Sequence, residues 1–416
     1  MLKGELQMKF GTQGTMGVDY EERINFDRLR KERVAKIKAE LERTDLGCLL
    51  LFDNHNKRYA TSTAVASPEV DDMGRYAVVP RNGDPYIFGF GSEVAAEKIN
   101  CPWIADRAYP AHTTMFGALP KDWGASKNFI GDLRMVLDEH GISPEEPIGV
   151  DMLDAQLVLA LQEEGFRIDD GQDVMLKARL IKTEDEIRIM RNAAATVDAA
   201  FDHLARMIRP GVRENDIQAK AAYELHRLGS QWVLNVQVTS GSRTHPHPHL
   251  SSDRLLQPGD LVFLDIQTVY NGYQTCYYRT LCCGKPTQKQ KDIYKRAYEM
   301  LRAGMEVMRP GVTTADVVRV WPSADYWGFK SESEAFGLAF GHGLGVGLWE
   351  RPIISRLYSV DHPVEFQEGM VIAVETYAGE GTDGARIEEE IVVTSTGIDV
   401  ITKFPCDELI GCGANY

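Results

Sequence analysis

From Asp27 the segment DRLRKERVAKIKAELERTDLG sets apolar residues at helical spacing and ends on Gly47, which predicts a helix closed by a glycine cap. The apolar run CLLLF that follows predicts a buried strand. In YAVVPRNGDPYIFGF two strand-like runs flank Asn82-Gly83, the turn chemistry of a hairpin. Strands and helices continue to alternate as far as Gly171, which predicts a smaller α/β domain. The run KARLIKTEDEIRIMRNAAATVDAAFDHLARMI starts charged and becomes strongly helical, as expected for a joint followed by the first long helix of a second domain. The expected division is a polar arm over residues 1–30, an N-terminal α/β domain over 31–175 and a second domain over 176–416.

The second domain repeats itself. RPGVRENDI at 209–217 recurs as RPGVTTADV at 309–317, each after an amphipathic helical pattern. QPGDLVFLD at 257–265 recurs as QEGMVIAVE at 367–375. Two helix-plus-strand halves of similar text imply a pseudo-twofold domain with a cleft between the halves. The repeat pairs Asp265 with Glu375, each at the end of an apolar strand, so two related strand ends would present two carboxylates to one cleft.

The 416 residues are 44% hydrophobic and 26% charged, the balance of a folded globular protein and too long for one ordinary core. A net charge of -15 repels phosphate backbones and anionic membranes, which argues against nucleic-acid and membrane partners. Seven cysteines without a CxxC pair give neither a disulfide framework nor a zinc-finger spacing. The opening MLKGELQMKFGTQG lacks the apolar run of a signal peptide, and a cytoplasmic location is expected.

Further candidate chemistry clusters late in the chain. In ARIEEEIVV, alternation puts Glu388 and Glu390 on one face and Glu389 on the other. His342 lies in the glycine-rich FGHGLGVG. In HPHPH the two prolines predict an extended backbone with His245, His247 and His249 on one side. Tyr273, Cys276, Trp349, Arg351 and Tyr377 are candidates for lining a substrate pocket that accepts an aromatic, and Arg351 or Arg386 for clamping a carboxylate.

In this order, GDLVFLD, GYQTCYYRT, FGHGLGVGLWERP, EGMVIAVET and ARIEEEIVVT resemble the creatinase, prolidase and methionine aminopeptidase superfamily. The text SGSRTHP and the tail ITKFP are most similar to its non-peptidase branches, dimethylsulfoniopropionate lyase and creatinase. The resemblance implies an α+β protein of two domains, an N-terminal α/β creatinase-like domain and a C-terminal pseudo-twofold pita-bread domain. It also implies a homodimer in which one subunit's N-terminal domain covers the other's cleft.

Metal-dependent members of that superfamily hold two divalent ions with two aspartates eleven residues apart, a histidine and two glutamates. Asp265, His342, Glu375 and Glu388 match, whereas Cys276 stands where the second aspartate would be. A dinuclear site then lacks a neutralising acid, leaving either no metal or a single divalent ion (Fe, Zn or Mn) on those four residues with Cys276 as a softer ligand. Gln267 stands where the lyase branch has an acid, and Pro248 where peptidases have a proton-shuttling histidine, flanked by His247 and His249. Without metal, the converging carboxyls Asp265, Glu375 and Glu388 would raise one another's pKa and give an acid–base pair beside a histidine. The expected activity is a lyase cleaving a C–X bond of a small carboxylate or aromatic catabolite. The alternative is a creatinase-like C–N hydrolase or a divergent Xaa-Pro metallopeptidase.

Overall fold

A computed structural model describes residues 24–64, 67–246 and 249–413. The expected arm therefore lies almost wholly outside the described residues, as does His247. Helix α1 (Phe26–Leu41) is capped by Asn25, whose side chain accepts from the Arg28 N–H, and it buries Leu29, Arg33, Ile37 and Leu41 at successive turns. It stops six residues short of Gly47, so that glycine is not the helix cap. Instead, Gly47 is a close-approach position where a Cβ would come 2.5 Å from Ile142, while Thr44 Oγ1 donates to the Leu41 carbonyl at the helix end.

Strands β1 (Cys48–Leu51), β2 (Tyr76–Pro80), β3 (Tyr86–Gly89), β4 (Ala108–Pro110), β5 (Ile148–Val150) and β6 (Ile168–Asp170) form one sheet in the order β4-β3-β2-β1-β5-β6. Its central strand β1 is CLLL, buried along its length, and Asn82-Gly83 lies in the turn of the antiparallel β2–β3 hairpin. Two helices lead out of this sheet, α2 (Gln172–Leu180) and α3 (Glu184–Met207), and residue 175 falls inside the first. Thr183 starts α3 with a capping box, its hydroxyl paired to the Glu186 N–H and its own N–H to the Glu186 carboxylate.

All later strands belong to two further sheets. Strands β7 (Trp232–Ser240), β8 (Leu261–Tyr270) and β9 (Tyr273–Cys283) follow α3 and α4 (Glu214–Arg227). Strands β10 (Ala339–Gly343), β11 (Glu350–Ile354), β12 (Val371–Glu380), β13 (Asp383–Val393) and β14 (Ile398–Val400) follow α5 (Gln288–Val307) and α6 (Thr314–Val320). The sheet orders are β15-β9-β8-β7, with β15 at Gly411–Cys412, and β11-β10-β12-β13-β14.

The sequence repeat is a structural one. Each RPGV turn follows a long helix and opens a shorter one, with Gly211 and Gly311 at φ 85° and 83°. Each turn is tied back by an antiparallel bridge, Arg213 to Leu255 in one half and Thr313 to Glu365 in the other. Each half then builds an antiparallel hairpin, β8–β9 and β12–β13. Apolar residues on the outer faces pack under the helices, Phe201 and Leu204 against one hairpin and Ile293, Ala297 and Leu301 against the other. The inner faces are left to meet each other, and there the charged residues are found. Among the described residues no helix is long and apolar enough to cross a membrane.

Candidate active site

The register of the two hairpins decides which side chains share the inner faces. Asp265 pairs with Tyr278 and Gln267 with Cys276, while Glu375 pairs with Glu388 and Tyr377 with Arg386. Directly paired residues stand on the same face, so Asp265, Gln267, Cys276 and Tyr278 come from one hairpin and Glu375, Tyr377, Arg386 and Glu388 from the other. His342 joins them from β10, which lies beside β12. Asp265, Glu388 and His342 are essentially inaccessible to solvent, and Glu375 nearly so.

Their contacts form two groups. In the first, the Cys276 thiol lies 3.8 Å from Asp265 Oδ1 and 3.7 Å from Glu388 Oε2, and His342 Nε2 lies 3.7 Å from Glu388 Oε1. His342 Nδ1 is 3.0 Å from the Gly343 carbonyl, which makes Nδ1 the protonated nitrogen and turns the Nε2 lone pair toward the carboxylate. In the second, Arg386 donates from Nε at 2.9 Å and Nη2 at 2.6 Å to the same Glu375 oxygen, Oε2. Arg386 is itself buried and stacks over Tyr278 at 4.8 Å. Gln267 Nε2 donates to Asp265 Oδ2 at 3.1 Å.

Burial sets the protonation of this cluster. It pushes Asp265 well above the usual carboxylate range, with the Glu375 charge adding to the effect. Burial likewise raises Glu388, followed by the charges of Glu375 and Asp265. The Cys276 thiol is pushed up by burial and by Glu388, and His342 is pushed down by burial. Glu390, whose Oε1 accepts from Thr275 and from the Cys276 N–H, is raised by burial to about 8. Glu389 points away to Arg279 and Thr402.

One ion fits the donors that lie together. A sulfur from Cys276, a nitrogen from His342 and an oxygen from Glu388 all lie within 4.8 Å of one another. Cys276 Sγ lies 3.7 Å from Glu388 Oε2 and His342 Nε2 lies 3.7 Å from Glu388 Oε1, so the carboxylate presents an oxygen to each neighbour, and thiolate, imidazole and carboxylate together are a donor set suited to one divalent ion. Glu388 Oε1 is buried without a hydrogen-bond partner, as a ligand atom without its ion would be. The two-ion arrangement fits less well, because a thiol replaces the second acid and both Arg386 bonds fall on Glu375. Asp265 and Glu375, expected as ligands, lie outside the compact donor set.

Other sequence expectations divide. Tyr377 is at the site: its hydroxyl meets His245 Nδ1 and its ring stacks on that imidazole at 6.0 Å. Trp349 stands at the rim, 64% exposed, its ring 6.2 Å from that of His342. His249 Nδ1 bonds Gln237 Oε1 at 2.8 Å, and burial followed by the Arg386 charge pushes its pKa down. His245 and His249 thus go to different partners instead of forming one row.

Two expectations are corrected. Tyr273 does not line the site: three residues from Cys276, it faces the opposite side and binds Arg33 and Glu186 in the core against α1. Arg351 is not the free clamp expected, because one of its amino groups donates to Asp173 of α2 at 2.6 Å. Gln237 was not singled out, although strand alternation in VQVTS, opposite Asp265, carries its signal.

Comparison with known proteins fits this arrangement. The family model for metallopeptidase family M24 matches residues 188–395. Dimethylsulfoniopropionate lyase DddP of Roseovarius nubinhibens is 27% identical over 97% of this chain and 92% of its own length. Uncharacterized peptidase YqhT of Bacillus subtilis is 33% identical over 56% of this chain, which spans 65% of that relative's length. Among solved structures, an Xaa-Pro dipeptidase from Bacillus anthracis superposes with a TM-score of 0.74 at 25% identity, over 92% of this chain and 99% of the other. With half of its length matched by the family model and this fold around the cleft, the chain belongs to metallopeptidase family M24.

Proposed function

We propose that this protein is a lyase that breaks a C–X bond of a carboxylate or aromatic small molecule by acid–base chemistry between the two hairpins. The observation that carries the reading is the split state of its carboxyls. Glu375 is held as an ion pair by Arg386, while burial makes Asp265 retain its proton. Arg386 takes both bonds on Oε2, so Glu375 Oε1 is the atom that accepts a proton from a substrate carbon. The electron pair released forms the new double bond as the C–X bond breaks, and Asp265 gives its proton to a leaving group that would otherwise depart as an anion, while a sulfonium leaves as the neutral sulfide without needing that proton. The full-length likeness to a relative named as a lyase supports this choice.

Cys276, His342 and Glu388 would hold a single divalent ion, which when bound supplies Lewis-acid polarisation. That donor set favours the second reading, a C–N hydrolase or a divergent Xaa-Pro metallopeptidase, as does the likeness to Xaa-Pro dipeptidase. In both readings the second domain, from about residue 176, carries the site, and the active form is a cytoplasmic homodimer.

The test is turnover of dimethylsulfoniopropionate, a panel of β-substituted carboxylates and aromatic catabolites, and Xaa-Pro dipeptides, each with and without a chelator. Release of an unsaturated product that survives chelation is expected. Hydrolysis of Xaa-Pro dipeptides abolished by chelation would replace the lyase by the peptidase. Light scattering checks the dimer as twice the chain mass.

A further inference from the structure

The face that carries Asp265 continues along its hairpin into a second, separately lined space. Asp265, Gln267 and Val269 alternate along β8, and Val269 pairs with Gln274 as Gln267 pairs with Cys276. Past Gln267 this face bounds a cavity of about 270 Å³, closed on its other side by residues between 54 and 64 together with Pro68 and Asp71. Gln267 is the shared wall, lining the cavity while its amide holds Asp265.

Most of the cavity surface is apolar, supplied by Trp232, Leu234, Val269, Val346 and Leu348. Of the polar side chains that also line it, two carry a buried atom without a hydrogen-bond partner. Arg58 has no ion-pair or hydrogen-bond partner among the described residues, and its Nε is buried and unpaired. Its guanidinium lies against the Asn271–Gly272 turn, where a Cβ on Gly272 would come within 2.8 Å of Nε. The nearby Asp71 carboxylate is already committed to Lys57 and Arg75. Burial, reinforced by Arg33, pulls Arg58 down to about 10, which still leaves it charged. The second group is Gln274, whose Nε2 is shared by His55 and the Val346 carbonyl while Oε1 is buried without a partner. The half-buried, unpaired Arg58 guanidinium and the buried, orphaned Gln274 acceptor are groups that a ligand carrying a carboxylate and a neighbouring donor would satisfy together.

We propose that this cavity is a substrate subsite for an organic carboxylate with an apolar body, its carboxylate on Arg58 and a neighbouring hydroxyl or N–H on Gln274 Oε1. The body lies along Trp232 and Val269 and points past Gln267 toward Asp265. Its role as a substrate subsite rests on the reading of Asp265 and Glu375 as the reacting pair, whereas binding itself does not. The reacting bond then lies at the end of the molecule remote from this carboxylate, which favours elongated acids over the shortest ones.

Calorimetric titration with 3-phenyllactate and with its uncharged amide tests this on the full chain. Saturable one-to-one binding of the acid is expected, with the amide and the Arg58→Gln variant each weaker by about tenfold or more. Leu234→Trp, which fills the cavity and leaves Arg58 in place, gives the same loss if Arg58→Gln does not fold. Asp265→Asn keeps full binding. No saturable binding to the wild type, equal binding of acid and amide, or unchanged binding in a folded Arg58→Gln protein would overturn the subsite. Intact binding in a protein that turns over no C–X substrate would instead defeat only the lyase reading.

Discussion

The two hairpins of the repeat superimpose in sequence but differ in how they handle charge. A shift of 110 residues carries Asp265 to Glu375, Gln267 to Tyr377, Cys276 to Arg386 and Tyr278 to Glu388. In the second hairpin the mid-strand acid, Glu375, has its own cation across the ladder, Arg386, and a further acid beside it. In the first hairpin the corresponding neighbours are an amide, a thiol and a phenol, none of which neutralises a carboxylate. Two acids at equivalent positions therefore meet opposite environments, one compensated and one desolvated. Duplication delivers the geometry twice, and substitution in one copy then makes an acid and a base from the same plan.

The largest effect is expected on the compensated side. Glu375→Gln removes the proposed base and should lower kcat by ~10²–10⁴-fold with folding intact, read by steady-state kinetics alongside circular dichroism. Full turnover in that variant would break the comparison. Arg386→Met strands a buried carboxylate and should destabilise the protein by about 3–5 kcal/mol in denaturant unfolding. The double variant Arg386→Met with Glu375→Met should recover most of that loss, because it removes both charges together.

A smaller effect is expected at Glu390, which belongs to the second hairpin but is neutralised by its proton and not by a cation. Its pKa is raised from 4.5 to about 8, so the stability it contributes is complete at low pH. That contribution is lost as pH rises from the unfolded glutamate range through about 8, by at most ~1.4 kcal/mol per pH unit. Glu390→Gln should make the decline of melting temperature between those limits shallower, measured in chelator. An unchanged slope would show that Glu390 is ionised in the fold. The smallest effect is expected at Trp349, whose exposed indole contributes little to packing. Trp349→Ala should leave stability within about 0.5 kcal/mol while raising KM, and an unchanged KM would remove it from the rim of the site.

Particular residues show how far the sequence could be read. The Asn82-Gly83 hairpin, the buried CLLL strand and both RPGV turns rest on local chemistry and period, and the structure contains each of them. The same period applied from Cys276 would have put Tyr273 on the opposite face, so that error was legible. A glycine after a helical pattern, as at Gly47, signals either a cap or a close approach, and only the position of Ile142 separates the two. Arg351 has no local mark of its bond to Asp173, which is 178 residues away.

The sequence by itself determined the duplication, the equivalent positions of Asp265 and Glu375 in its two halves, and Cys276 where the resemblance expects a second metal-binding acid. Those features depend on order and spacing along the chain. That both acids stand in mid-strand and not at a strand end came from the structure. Tertiary structure alone decided that Arg386 neutralises Glu375, that Cys276, His342 and Glu388 converge, and that Arg58 stands unpaired beside Gln267. Charge compensation and desolvation depend on distance through space between residues remote in sequence, and only the packed molecule sets that distance.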